Sequence, residues 1–69
     1  MSVAKVTEIT SESPESFEKA IQEGIARATK TLKNIKSAWV SEQHLSIDND
    51  KIVGYRVNMK LVFLLEEPR

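Results

Sequence analysis

Residues 53–65 read VGYRVNMKLVFLL, and the alternation in this stretch decides the fold. The odd positions Val53, Tyr55, Val57, Met59, Leu61, Phe63 and Leu65 form an unbroken apolar stripe of period two, the pattern of a strand with a buried face. The even positions start polar, at Arg56, Asn58 and Lys60, and turn apolar at Val62 and Leu64. A strand with one apolar face packs on one layer; a strand with two needs a second. The remaining large apolar surface belongs to one helix, which covers one face of a sheet. The second cover is therefore expected from another copy of the chain.

Length and composition point the same way. Sixty-nine residues make one small domain, residues 1–69, with a thin core, a size at which staples or oligomerisation are usually needed. The chain has no cysteine, so neither disulfides nor thiolate metal sites can supply the missing stability. Ten basic residues balance ten acidic ones, which argues against a general nucleic-acid binder or a polybasic membrane anchor. The first residues carry no apolar signal-peptide core, and no apolar run approaches the ~20 residues of a membrane span. A soluble cytoplasmic protein is the expectation.

Outward from the last strand, the turn Asp48-Asn49-Asp50-Lys51 links it to a second strand over Ile35–Asp48. The phase of that strand is irregular: Ala38 and Val40 are apolar on even positions, Leu45 and Ile47 on odd ones. Such a change of face requires a bulge or a passage to a neighbouring sheet. A helix is predicted from Pro14 to Lys33, with Phe17, Ala20, Ile21, Gly24, Ile25, Ala28 and Leu32 in one stripe. Ser13 is the expected cap, Pro14 the first helical residue and Asn34 the stop. Gly24, inside the stripe, implies close backbone approach to the sheet. The basic residues Arg27, Lys30, Lys33 and Lys36 suit the negative end of the helix dipole, with phosphate binding as the alternative. Val3–Thr10 reads as a first strand, followed by a turn over Thr10–Pro14. The order strand, helix, strand, strand defines an α+β unit, a three-stranded antiparallel sheet packed on one helix.

Chemistry-bearing groups are few. His44 has no second histidine to share a metal, and a surface or interface role is the simpler reading. No serine sits in a nucleophile elbow, and Gly24 and Gly54 alone make no phosphate loop, so nothing argues for an enzyme. Asp48 and Asp50 offer hard oxygen ligands, although a hairpin turn uses the same residues. Trp39 stands out, because Ser37, Ser41 and Gln43 are expected on its face. An indole among polar neighbours is an interface anchor or a platform for a flat ligand.

The order of elements, together with several local stretches, resembles the dodecin family. The opening Thr10-Ser11-Glu12-Ser13-Pro14, the helix segments Ala20-Ile21-Gln22 and Ile25-Ala26-Arg27-Ala28, and the following Thr31-Leu32-Lys33-Asn34-Ile35 carry the likeness. So do Tyr55-Arg56-Val57 and Lys60-Leu61-Val62-Phe63. The resemblance implies a hollow homododecamer that binds and stores a small ligand, flavin (FMN or riboflavin) by family default. It also implies that the chain itself is the partner, without nucleic acid or membrane. In the family a tryptophan early in the second strand stacks on the flavin ring, and a glutamine in the last strand bonds its polar edge. The matching positions are Ser37 and Arg56, and both have changed. Ser37 has no π-face, and Arg56 only donates where an amide donates and accepts. The resemblance therefore implies weakened flavin binding, with Ser37, Trp39 and Arg56 as the residues nearest the pocket. A branch that also carries arginine at the glutamine position is associated with calcium. This chain is similar to it through Glu42-Gln43, Asp48 and Tyr55-Arg56, which makes Glu42 and Asp48 the candidate metal ligands.

Overall fold

The computed structural model describes residues 3–65. The elements run β1 (Ala4–Ser13), α1 (Phe17–Ala28), β2 (Ile35–Asp48) and β3 (Lys51–Leu64). The three strands form one antiparallel sheet in the order β1-β3-β2, so the apolar stripe that opens the sequence reading lies in the central strand. Its odd positions face the helix. Val57, Met59 and Leu61 are buried there, and Ala20 of α1 packs on Val57 and Met59 with Ile9, Phe17, Ile21 and Ile25 around the margin. The rings of Phe17 and Tyr55 meet edge to face at 5.2 Å, joining the first turn of α1 to β3.

β1 is longer than expected. Thr10, Ser11, Glu12 and Ser13 read as a turn, yet they continue the strand and pair with Asn58, Val57, Arg56 and Tyr55. Cross-strand partners override the turn propensity of these residues. Ser13 is consequently buried at the end of β1, where its hydroxyl accepts the Glu15 N–H at 3.1 Å. The cap passes to Ser16, whose hydroxyl accepts the Lys19 N–H at 3.0 Å, and the helix starts at Phe17 instead of Pro14. It ends at Ala28 instead of Lys33. The Thr29 hydroxyl donates to the Ala26 carbonyl at 2.8 Å, a local bond of the kind that competes with helix continuation. Asn34 adopts φ 63°, a left-handed residue that turns the chain into β2 rather than closing the helix.

Gly24 has the expected role. A Cβ there would stand 2.7 Å from Met59 Cε and 3.0 Å from Ser11 Cβ, so the missing side chain lets α1 settle on β1 and β3. Asn49 and Asp50, at φ 51° and 63°, form a two-residue hairpin loop between the paired Asp48 and Lys51. Two consecutive left-handed residues match the twist of a hairpin.

Bulges explain the irregular phase of β2. Its register against β3 shifts between Ile35 and Ser37, between Val40 and Glu42, and between Ser46 and Ile47. Ala38 and Val40 pair with Leu61 and Met59, and after the middle shift Gln43 and Leu45 pair with Val57 and Tyr55, all on the helix side. Gln43 therefore lies on the opposite face from Trp39, not beside it as simple alternation implies. The other face carries Ser37, Trp39, Glu42 and His44 of β2 opposite Val62, Lys60, Asn58 and Arg56.

The helix is short for its sheet. Twelve residues give α1 about 18 Å, whereas the fourteen of β3 give about 46 Å. Its main contacts fall on β1 and β3, and within β2 only Ile35 and Ser46 are partly buried, the other residues being exposed. No helix among the described residues is long and apolar enough to cross a membrane.

Candidate functional site: the polar face of the sheet

The face turned away from α1 bears nearly all the groups that the sequence singles out. Its rows follow from the register. One row holds Glu8, Lys60 and Trp39; the next Thr10, Asn58 and Glu42; the next Glu12, Arg56 and His44. Towards the open ends of β1 and β3 the face turns apolar, with Val62 opposite Val6 and Leu64 opposite Ala4. Val62 and Leu64 are half-buried by these neighbours, and among the described residues no second layer lies over them.

Polar groups in the middle rows form a chain across all three strands. The Thr10 hydroxyl donates to Asn58 Oδ1 at 3.0 Å, and Asn58 Nδ2 donates to Glu42 Oε1 at 3.2 Å. Ser41, unpaired at the bulge, places its hydroxyl 3.1 Å from the Asn58 carbonyl and 3.5 Å from Glu8 Oε2. His44 Nε2 lies 3.9 Å from Glu42 Oε2. Glu8, Thr10, Glu12 and Asn58 were not legible as site residues. Their one signal is the period-two spacing of Glu8, Thr10 and Glu12, which reading Thr10–Pro14 as a turn conceals.

Trp39 is 47 % exposed, and Lys60 Nζ stands 5.7 Å from the ring centroid, within cation–π range. Ser37 shares the face two residues away, opposite Val62. Arg56 Nε donates to Glu12 Oε1 at 3.1 Å, with both side chains about half exposed. The arginine thus has a partner in its own chain. Arg56→Gln should lower stability by less than about 1 kcal/mol at low salt, because half-exposed pairs are worth little. The loss should shrink further at high salt. Melts at two ionic strengths check this; an effect of several kcal/mol would mean that a second partner holds Arg56 away from water.

One chain does not gather either candidate set. Val62, opposite Ser37, and Arg56 are six positions apart on β3, about 20 Å of strand, so one flat ring cannot touch both positions. Glu42 and Asp48 are similarly six positions apart on β2, with Asp48 at the hairpin end opposite Lys51. Among the described residues no three His, Cys, Asp or Glu side chains converge as a metal site.

These features define a small α+β sheet module with an open, charged and partly aromatic face. The dodecin family model matches residues 3–66, and the chain belongs to the dodecin family. It is 35 % identical to the calcium dodecin of Mycobacterium tuberculosis over 71 residues, the whole of both chains. Among solved structures it is similar to the dodecin of Streptomyces davaonensis, with a TM-score of 0.91 and 36 % identity over 96 % of this chain and 97 % of that one. The crystal structure of the Mycobacterium tuberculosis calcium dodecin, a calcium-chelating antigen with a novel calcium-binding site, aligns with a TM-score of 0.82. Its identity is 31 %, over 97 % of this chain and 96 % of that one.

Proposed function

We propose that this chain is a binding and storage protein, not an enzyme, which assembles in the cytoplasm as a closed homododecamer and holds a small ligand on its polar sheet face. The observation that carries this reading is that face itself. It presents a half-exposed indole beside a lysine, next to a hydrogen-bonded polar chain, on a sheet more than twice as long as its helix. The separation of Ser37 from Arg56 supports assembly as well, because a ligand that uses both positions needs two copies. Light scattering of the purified protein tests the assembly, and a folded monomer near 7.8 kDa would remove it.

Flavin is the family's ligand, and here it binds weakly. A stacked aromatic partner contributes about 0.5–1.5 kcal/mol beyond its buried area, and Ser37 supplies none. Exchanging Ser37 for Trp and Arg56 for Gln together should tighten FMN or riboflavin binding by about fivefold to tenfold, the equivalent of 1–1.4 kcal/mol. Quenching of flavin fluorescence measures this; tight binding by the unaltered chain would show that Trp39 already serves as the platform.

Calcium is the second reading, favoured by Arg56 at the glutamine position and by the 35 % identity to a calcium dodecin. Glu42 and Asp48 are the ligands proposed for it, contributed by different copies because one chain holds them apart. Calorimetric titration with calcium should give saturable heat that Glu42→Gln removes. Unchanged heat in that variant would exclude Glu42.

A further inference from the structure

Between β1 and the C-terminal half of α1 runs a groove of about 610 Å³. Ile9 of β1, Ala28 of α1 and Leu32 just beyond it give the groove an apolar lining. Gly24 opens its middle: with no side chain there, the Ser11 hydroxyl comes within 3.3 Å of the position a Cβ would take. Glu23 and Arg27, both exposed, stand on the rim one helical turn apart. That spacing is the favoured one for an ion pair within a helix. Among the described residues, however, the ion pairs within 4 Å are His44–Glu42 and Arg56–Glu12, and none joins Glu23 to Arg27. The groove therefore presents an anion and a cation about 5–6 Å apart at their Cβ atoms, with an apolar wall beside them. A cavity of this size, mostly apolar with a few placed polar groups, is the usual form of a small-molecule site.

The two charges select the ligand. An anion such as phosphate meets Arg27 but is repelled by Glu23, and a simple amine meets the reverse. A molecule with an ammonium and a carboxylate on neighbouring atoms satisfies both. We propose that the groove binds an α-amino acid with a large apolar side chain. The ammonium donates to the Glu23 carboxylate, and the ligand carboxylate accepts from Arg27, whose planar fork suits it. The side chain lies on Ile9 and Leu32, and the Ser11 hydroxyl beneath Gly24 is placed to meet the polar end. The site is on the helix side of the sheet, opposite the polar face, and is independent of the ligand proposed there. Of the polar chain, Thr10 alone reaches the groove.

Saturation-transfer NMR on the purified protein, with L-phenylalanine as the probe, tests the site. Phenylalanine should bind saturably, and inorganic phosphate should not displace it. N-acetylphenylalanine and phenylalaninamide should each bind about fivefold more weakly, because each lacks one of the two exposed charge contacts. Equal binding of all three would show that the charges do not read the ligand, and would overturn the proposal. Absence of binding, the result if another copy fills the groove, would overturn it too. Two variants then assign the contacts. Arg27→Gln should bind phenylalanine and its amide alike while still rejecting the N-acetyl form, and Glu23→Gln should do the reverse. Discrimination that survives in both variants would place the ligand elsewhere and overturn the site. If either variant fails to fold, the Gly24 amide signal of the unaltered chain decides: it should shift on titration with phenylalanine, and a fixed signal overturns the site.

Discussion

Replacing Met59 with alanine should cost about 2–5 kcal/mol, the range for a large core side chain cut to a methyl group. Met59 is one of the largest fully buried side chains, and it touches the helix at Ala20 and beneath Gly24. The core of the described chain holds few other side chains that could move in to fill the space. Domains of this size have little stability to lose, since about 5–15 kcal/mol is the span for proteins of all sizes. The variant should therefore unfold at much lower urea than the parent, or be unfolded in buffer. Urea titration followed by circular dichroism measures the midpoint. A loss below 1 kcal/mol would mean that the helix contributes little to holding the sheet.

Gly24→Val should also be strongly destabilising, by about 1–3 kcal/mol, the usual cost of overfilling a packed contact. An alanine brings its Cβ against the flexible end of Met59, which can swing aside, and gains helix propensity worth about 1 kcal/mol. That same Cβ also meets Ser11 Cβ at 3.0 Å, so Gly24→Ala should still be destabilising, but by less than valine. Valine adds branches towards Ser11, whose backbone is held in β1 opposite Val57, and that neighbour has nowhere to go. Thermal melts of the two variants side by side isolate the steric term. Equal stability would show that α1 can lift off β1 without cost.

Legibility in the sequence followed the regularity of each element. β3 was readable because its stripe has no interruption from Val53 to Leu65, and the helix stripe because each of its residues has another three or four places away. The bounds of β2 were read correctly, and of the two readings of its change of phase, a bulge or a passage to a neighbouring sheet, the register shows bulges. Its facing was misread, since a single unpaired residue at Ser41 moves Gln43 to the other side. At the other end of the sheet, Thr10–Ser13 combine the composition of a turn with the register of a strand, and only the partner strand decides between them. The Arg56–Glu12 pair was hidden by the same misreading: 44 residues separate the two, and no local pattern connects them. Two serines three residues apart both suit a cap. The choice fell to Ser16 because the sheet had already taken Ser13.

The central position of β3 has a consequence for how the chain comes to be folded as it is made. β1 and β2 both depend on β3 for their hydrogen bonds, and β3 is the last of the four elements in sequence. While the ribosome is still adding residues 51–64, the two edge strands have no partner. Helix α1 has only β1 to rest on, and the cluster of Val57 and Met59 does not yet exist. At about 5–20 residues per second that interval is short, but through it the nascent polypeptide carries unsatisfied strand edges and an unfilled apolar helix face. The β2–β3 hairpin, closed by adjacent residues, can form as soon as it emerges from the exit tunnel. β1 must then find Leu64 from the other end of the chain. A stop of synthesis before Met59 would release a chain whose β3 ends at Asn58, without the partners of Ala4–Ile9 in β1.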